Sequence, residues 1–227
     1  MKEALKTVVL RVPKEDLKYG RDYIFLDLYS ALSLYGMDCN QILLSVDVIA
    51  HSYYGGDKAN ISPVINKFKK HKGCESITRD LFYIRKGEIK SDNSYFMIEH
   101  EHFYKIMNSQ NRWDKRLNLL FHYCCIVASI NYGRDTIIDG KRGVYGYMSN
   151  SFFSRVENVN NNSIMTYNND LEKMGLIVRI KKRWSDAYNK LLPSIYVLKE
   201  NEELLNKIGD NMIDDSDDYE DLDDLFG

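Results

Sequence analysis

VENVNNNSIMTYNNDLEKMGLIVRIKKRW, residues Val156–Trp184, is the stretch on which the fold turns. Four of the five residues from Asn158 to Asn162 are asparagine. Short amides tolerate left-handed backbone and cap helix starts, so the run predicts a turn that opens a helix. From Ser163 to Met174, the residues Ile164, Tyr167, Leu171 and Met174 recur at helical spacing and define an inner face. Gly175 is suited to stop that helix as its C′ residue. Leu176–Lys182 then reads as a strand of bulky apolar and basic residues. Asn168 stands where an aliphatic residue would complete the inner face, which implies weaker burial there or a slightly rotated helix.

Working outward, Trp113–Asn131 (WDKRLNLLFHYCCIVASIN) reads as a long, largely buried helix. Leu117, Leu120, Phe121, Cys124, Val127 and Ala128 share one of its faces. GRDTIIDGKRGVYGY follows, with the turn pair Asp139-Gly140 marking a small hairpin. Ser149–Glu157 is a short helix with Ser149 as N-cap. After the Asn run and its helix, Ser194–Lys199 supplies a second strand, reached by a loop holding Arg183, Trp184 and Lys190. A similar order occurs earlier in the chain. Ile24–Gly36 is a helix, and Ile42–Tyr53 contains a second one from about Ser45. Gly55-Gly56-Asp57 is a turn. Ser62 and Pro63 form an N-cap and N1 pair opening a helix that Gly73 ends. Leu81–Arg85 and Tyr95–Glu99 are read as a strand pair with KGEIKSDNS at its tip.

The spacing of Ile164, Leu171, Gly175, Leu176 and Ile177 within NNNSIMTYNNDLEKMGLIVRI resembles the recognition helix and first wing strand of bacterial winged-helix proteins. The expected fold is therefore α+β and helix-rich. It has a winged-helix-like domain over 1–104, a second winged-helix domain over 105–209 and a disordered acidic tail over 210–227. At the level of architecture alone, tandem winged helices on a basic body resemble the replication initiators of plasmids and related mobile elements.

Composition supports a polyanionic partner. The net charge of -2 conceals a tail, Asp210–Gly227, with nine Asp/Glu and no Lys or Arg. Without it, 31 basic residues face 24 acidic ones, a body of about +7. No apolar run is long enough to span a bilayer and the N-terminus does not read as a signal peptide, so a cytoplasmic protein is expected. The four cysteines match no zinc spacing, and His100-Glu101-His102, read on a strand, lacks further ligands. No phosphate loop is present. The chain is read as no enzyme, with no cofactor or metal.

The resemblance puts the N-terminal end of the recognition helix in the major groove of double-stranded DNA. Amides read adenine there, and hydroxyls reach base edges or phosphates. In the second domain the DNA-binding candidates are Asn161, Asn162, Ser163, Thr166 and Asn169, with Arg179, Lys181, Lys182 and Arg183 as wing contacts to phosphate. In the first they are Asn60, Ser62, Asn66, Lys67, Lys69 and Lys70. Trp184, among these cations, is a candidate contact to a sugar or a partner. In the tail, Leu222, Leu225 and Phe226 lie in DLDDLF, which resembles the C-terminal peptides that dock bacterial replication proteins on the sliding clamp, with Asp221 in place of the usual Gln. The functional expectation is a sequence-specific DNA-binding replication initiator, with homodimerisation as one role for the first domain. The alternatives are a transcriptional regulator of a mobile element, and an interaction protein that inhibits a nucleic-acid machine through its tail.

Overall fold

The computed structural model describes residues 9–35, 40–85, 95–132, 137–181, 183–187 and 189–208. Lys182, the 86–94 segment and the tail, including Leu222, Leu225 and Phe226, lie outside them. The fold is α+β, rich in helix, with small antiparallel sheets. Two compact units divide between Phe121 and His122, later than the boundary expected near residue 105.

The first unit begins with β1 (Val9–Pro13), a 3₁₀ segment (Lys14–Tyr19) and α1 (Arg21–Leu34). β2 (Gln41–Ser45), α2 (Val46–Tyr53) and α3 (Ser62–Lys72) follow, then β3 (Glu75–Ser76), β4 (Leu81–Arg85), β5 (Tyr95–Glu99) and α4 (His100–Met107). α1 is its core helix, with Tyr23, Ile24, Phe25, Leu26 and Leu28 fully buried. Ser45 caps α2 by accepting from the Val48 amide. Gly73, in the left-handed region at φ 63°, ends α3.

The strand order is β2-β4-β3 in one sheet and β1-β5 in another. Alternation fixes both registers: Ile42 pairs with Ile84 and Leu44 with Phe82, while Leu10 pairs with Ile98 and Val12 with Phe96. All eight are buried. This corrects the expected pairing of Leu81–Arg85 with Tyr95–Glu99. The hairpin partner of β4 is the short β3, across the turn Ile77–Asp80. β5 instead pairs with β1, whose alternating pattern the sequence reading passed over. His100 and His102 lie on α4, not on a strand. Ser62 is not a cap either: Ile61 occupies that position, and the Ser62 hydroxyl donates to the Lys58 carbonyl at 2.7 Å.

α5 (Trp113–Tyr132) carries the chain across the division, and every residue from Leu119 to Ile130 is buried. In the second unit, β6 (Ile137–Ile138) and β7 (Lys141–Arg142) form the small hairpin. Asp139 and Gly140 both have positive φ, as a two-residue hairpin turn requires. β8 (Tyr145–Met148), α6 (Asn150–Glu157), α7 (Asn161–Lys173) and β9 (Ile177–Ile180) follow. The loop expected after β9 contains a second hairpin, β10 (Arg183–Ser185) and β11 (Lys190–Leu192). β12 (Ser194–Leu198) is the central strand of the sheet β8-β12-β9, and a 3₁₀ segment (Lys199–Lys207) closes the described chain. Gly146 lets β8 lie against α5: a Cβ there would stand 2.5 Å from Ser129 Oγ and 2.8 Å from the Ile130 amide nitrogen.

The two units share one plan. Leaving aside the two-stranded pairs and α4, each runs helix, strand, helix, helix, strand, strand, and its three-stranded sheet is ordered first strand, third strand, second strand.

Candidate nucleic-acid interface

The asparagine run divides its labour. Asn158 takes the left-handed conformation at φ 53°, ψ 45° and ends α6. Asn160 is the N-cap of α7: its Oδ1 accepts from the Ser163 amide at 2.8 Å and from the Ser163 hydroxyl at 3.2 Å. Asn161 and Asn162 follow on the first turn with exposed side chains. Two asparagines thus shape the turn and two are presented. Ser163 is half-buried and committed to Asn160.

α7 is cleanly two-faced. Ile164, Tyr167, Asn168 and Leu171 are buried, while Asn161, Asn162, Met165, Thr166 and Asn169 are exposed. The outer set is spaced i, i+1, i+4, i+5, i+8 and forms a single stripe. Met165, half exposed at 50%, is a member that the sequence reading missed. It had no polar chemistry to flag it, yet it places an apolar group among the amides. The Thr166 hydroxyl donates back to the Asn162 carbonyl at 2.9 Å.

Asn168 overturns the expectation of weak burial. It is fully buried because it has partners. Its Oδ1 lies 3.1 Å from His122 Nε2, and its Nδ2 donates to the Tyr196 hydroxyl at 3.3 Å. His122 Nδ1 lies 2.6 Å from Glu157 Oε1. Each ring nitrogen of His122 thus has an oxygen partner, with the donor and acceptor roles set by the tautomer. Burial pushes the Glu157 carboxyl upward, against the pull of His122. This chain of buried polar groups links α5, α6, α7 and β12, and so fixes which face of α7 turns outward.

Arg179, expected as a phosphate contact, is corrected. Its side chain is 6% exposed, and its guanidinium donates to Asn169 at 3.0 Å and Glu172 at 3.1 Å. β9 uses it to hold the exposed stripe of α7 in place. Lys181 is exposed and Arg183 half-buried. Trp184 is 56% exposed on β10.

In the first unit, Asn60, Asn66, Lys67 and Lys70 are exposed, and Ser62 is half-buried. The Lys67 ammonium sits 4.6 Å above the Tyr19 ring. Lys69 is corrected: it is buried, donates to the Arg79 carbonyl at 3.2 Å and lies 4.6 Å from the Phe82 ring centre. It ties α3 to the β3–β4 turn, where Arg79, also missed, is exposed.

No protein-family model matches the chain, and no curated protein is significantly similar to it.

Proposed function

We propose that both units are winged helices and that the protein is a sequence-specific double-stranded DNA-binding protein of the replication-initiator kind. The observation that carries the reading is the exposed stripe of α7. Asn161, Asn162 and Asn169 are amides able to pair with adenine, and Met165 is placed for a thymine methyl. The shared strand order of both units supports the fold, since it makes α7 and α3 the counterparts of recognition helices. The first unit then offers Asn66, Lys67 and Lys70 from α3, with Arg79 at its wing turn. The tail residues Leu222, Leu225 and Phe226 are the proposed dock for a host replication protein.

The test is selection of sites from duplex fragments of the protein's own locus by the full chain, across a salt series. It compares wild type with Asn161→Ala/Asn162→Ala. The expected result is a discrete site for wild type, lost by the variant while the salt slope persists. Each bidentate amide–base pair contributes about 1–3 kcal/mol of discrimination. Absence of selection by wild type would leave these asparagines as turn chemistry and overturn the reading.

A further inference from the structure

The β10–β11 hairpin reverses the usual polarity of a surface ribbon. Its registered pairs are Arg183 with Leu192, Trp184 with Leu191, and Ser185 with Lys190. Leu192 and Ser185 are buried, and Leu192 belongs to a core cluster with Ile195 and Val197. That inner face anchors the hairpin. The outer face then carries Trp184, 56% exposed, directly across from Leu191, 48% exposed. A cross-strand aromatic–aliphatic pair of this kind stands as a flat apolar surface in water. Folding of this unit does not require it, because the inner face already holds the ribbon.

The surroundings say what would cover it. Besides Arg179, which is turned inward onto Glu172, the sequence from Ile177 to Leu192 has four cations, Lys181, Lys182, Arg183 and Lys190, against the single acid Asp186. Lys181 is exposed just ahead of the hairpin. The occupant therefore combines a planar apolar face with negative charge. Duplex DNA offers the charge but keeps its base faces stacked on each other. Single-stranded DNA offers both, because unstacked bases expose their π-faces beside the phosphates.

We propose that Trp184 and Leu191 form a stacking platform for unpaired nucleobases, so that this wing binds single-stranded DNA. The inference rests on the DNA-binding reading and extends it: α7 reads the closed duplex, and the hairpin holds a strand once the duplex has opened. Continuity within the unit supports the link, since Arg179 of β9 reaches Asn169 on the outer stripe of α7.

The test uses the full chain and an oligothymidine of about 16 nucleotides, the upper end of a single-domain site. The chain has two tryptophans, so subtracting the emission of Trp184→Phe, which retains Trp113 alone, isolates the Trp184 signal. The oligothymidine is expected to quench that signal. Trp184→Ala should weaken its binding, followed by anisotropy, by about tenfold, while Trp184→Phe recovers most of it. Affinity of Trp184→Ala for duplex DNA should stay within about twofold, as stacking is unavailable there. Binding without quenching, an unchanged affinity in Trp184→Ala, or no binding of the oligothymidine would overturn the platform. So would an equal loss for duplex, which would make Trp184 a general groove contact. A shift of Trp184 emission in the DNA-free protein on Phe226→Ala would instead assign the face to the acidic tail. Duplex selection by Asn161 and Asn162 is read separately, so either idea can fail alone.

Discussion

At the scale of single residues, similar side chains have been given different work, and the difference is set by burial. Asn168 is inside and Asn169 outside, one position apart on α7. Asn168→Leu supplies the aliphatic group that the inner face leads one to expect, yet it takes away the oxygen facing His122 Nε2 and one of the partners of the Tyr196 hydroxyl, which keeps Arg179 and Ser194. Leaving buried polar groups unsatisfied costs about 1–3 kcal/mol. A lower urea midpoint for the second unit is the expected result, and an equal or higher one would show that the polar chain is not needed for stability. The basic residues divide similarly. Lys181→Ala should lower the salt slope of duplex binding by about 0.9, the loss of one phosphate contact. Arg179→Ala should leave that slope nearly unchanged and instead weaken site selection, because Arg179 holds Asn169 and Glu172 rather than phosphate.

At the scale of elements, caps and close approaches define what the sequence shows. α6, α7 and the β6–β7 hairpin were legible because their signals are local: Ser149 caps α6, Asp139-Gly140 makes the hairpin turn, and Gly175 stops α7. At Gly175 the Leu176 amide reaches the Leu171 carbonyl and the Gly175 amide reaches that of Glu172, the double bond of a Schellman ending. What escaped depends on distant partners. β5 pairs with β1 across most of the first unit, and no local feature distinguishes that from pairing with β4. The inward turn of Lys69 and Arg179 was invisible for the same reason, since a cation reads as solvated until its acceptor is placed. In the candidate site, Asn161, Asn162, Thr166 and Asn169 were legible as the polar side of a helical period, while Met165 was not. The split within the asparagine run gives a direct comparison. Asn160→Ala should cost about 1 kcal/mol through loss of the cap, whereas Asn161→Ala should leave thermal stability almost unchanged and alter only DNA binding. Gly146→Ala is expected to cost about 1–3 kcal/mol by overpacking, because its Cβ would meet α5 backbone that cannot yield.

At the scale of the whole molecule, charge is arranged in places the net value of -2 does not reveal. A basic body and an acidic tail govern long-range attraction, while buried charge governs response to pH. The first unit contains the clearest case. Lys72 bridges Asp16 at 2.7 Å and Asp27 at 3.0 Å, joining the Lys14–Tyr19 segment, α1 and α3. Burial disfavours the Lys72 ammonium, but the Asp27 and Asp16 carboxylates outweigh it and hold its pKa above the ordinary value. One lysine does not offset two buried carboxylates. Burial first, with the neighbouring Asp16 charge adding to it and Lys72 opposing, pushes the Asp27 carboxyl from 3.8 up to about 6. A carboxyl raised in the folded state binds its proton more tightly there than in the unfolded chain. Its contribution to stability is therefore full below about 3.8 and is lost as the pH rises through about 6. Acidification from pH 8 to pH 5 should accordingly raise the urea midpoint of the first unit, opposite in sign to the usual effect of salt-bridged carboxylates. Asp27→Asn should flatten that dependence, because an amide has no proton to gain. If the variant kept the wild-type slope, the proton would belong to another group.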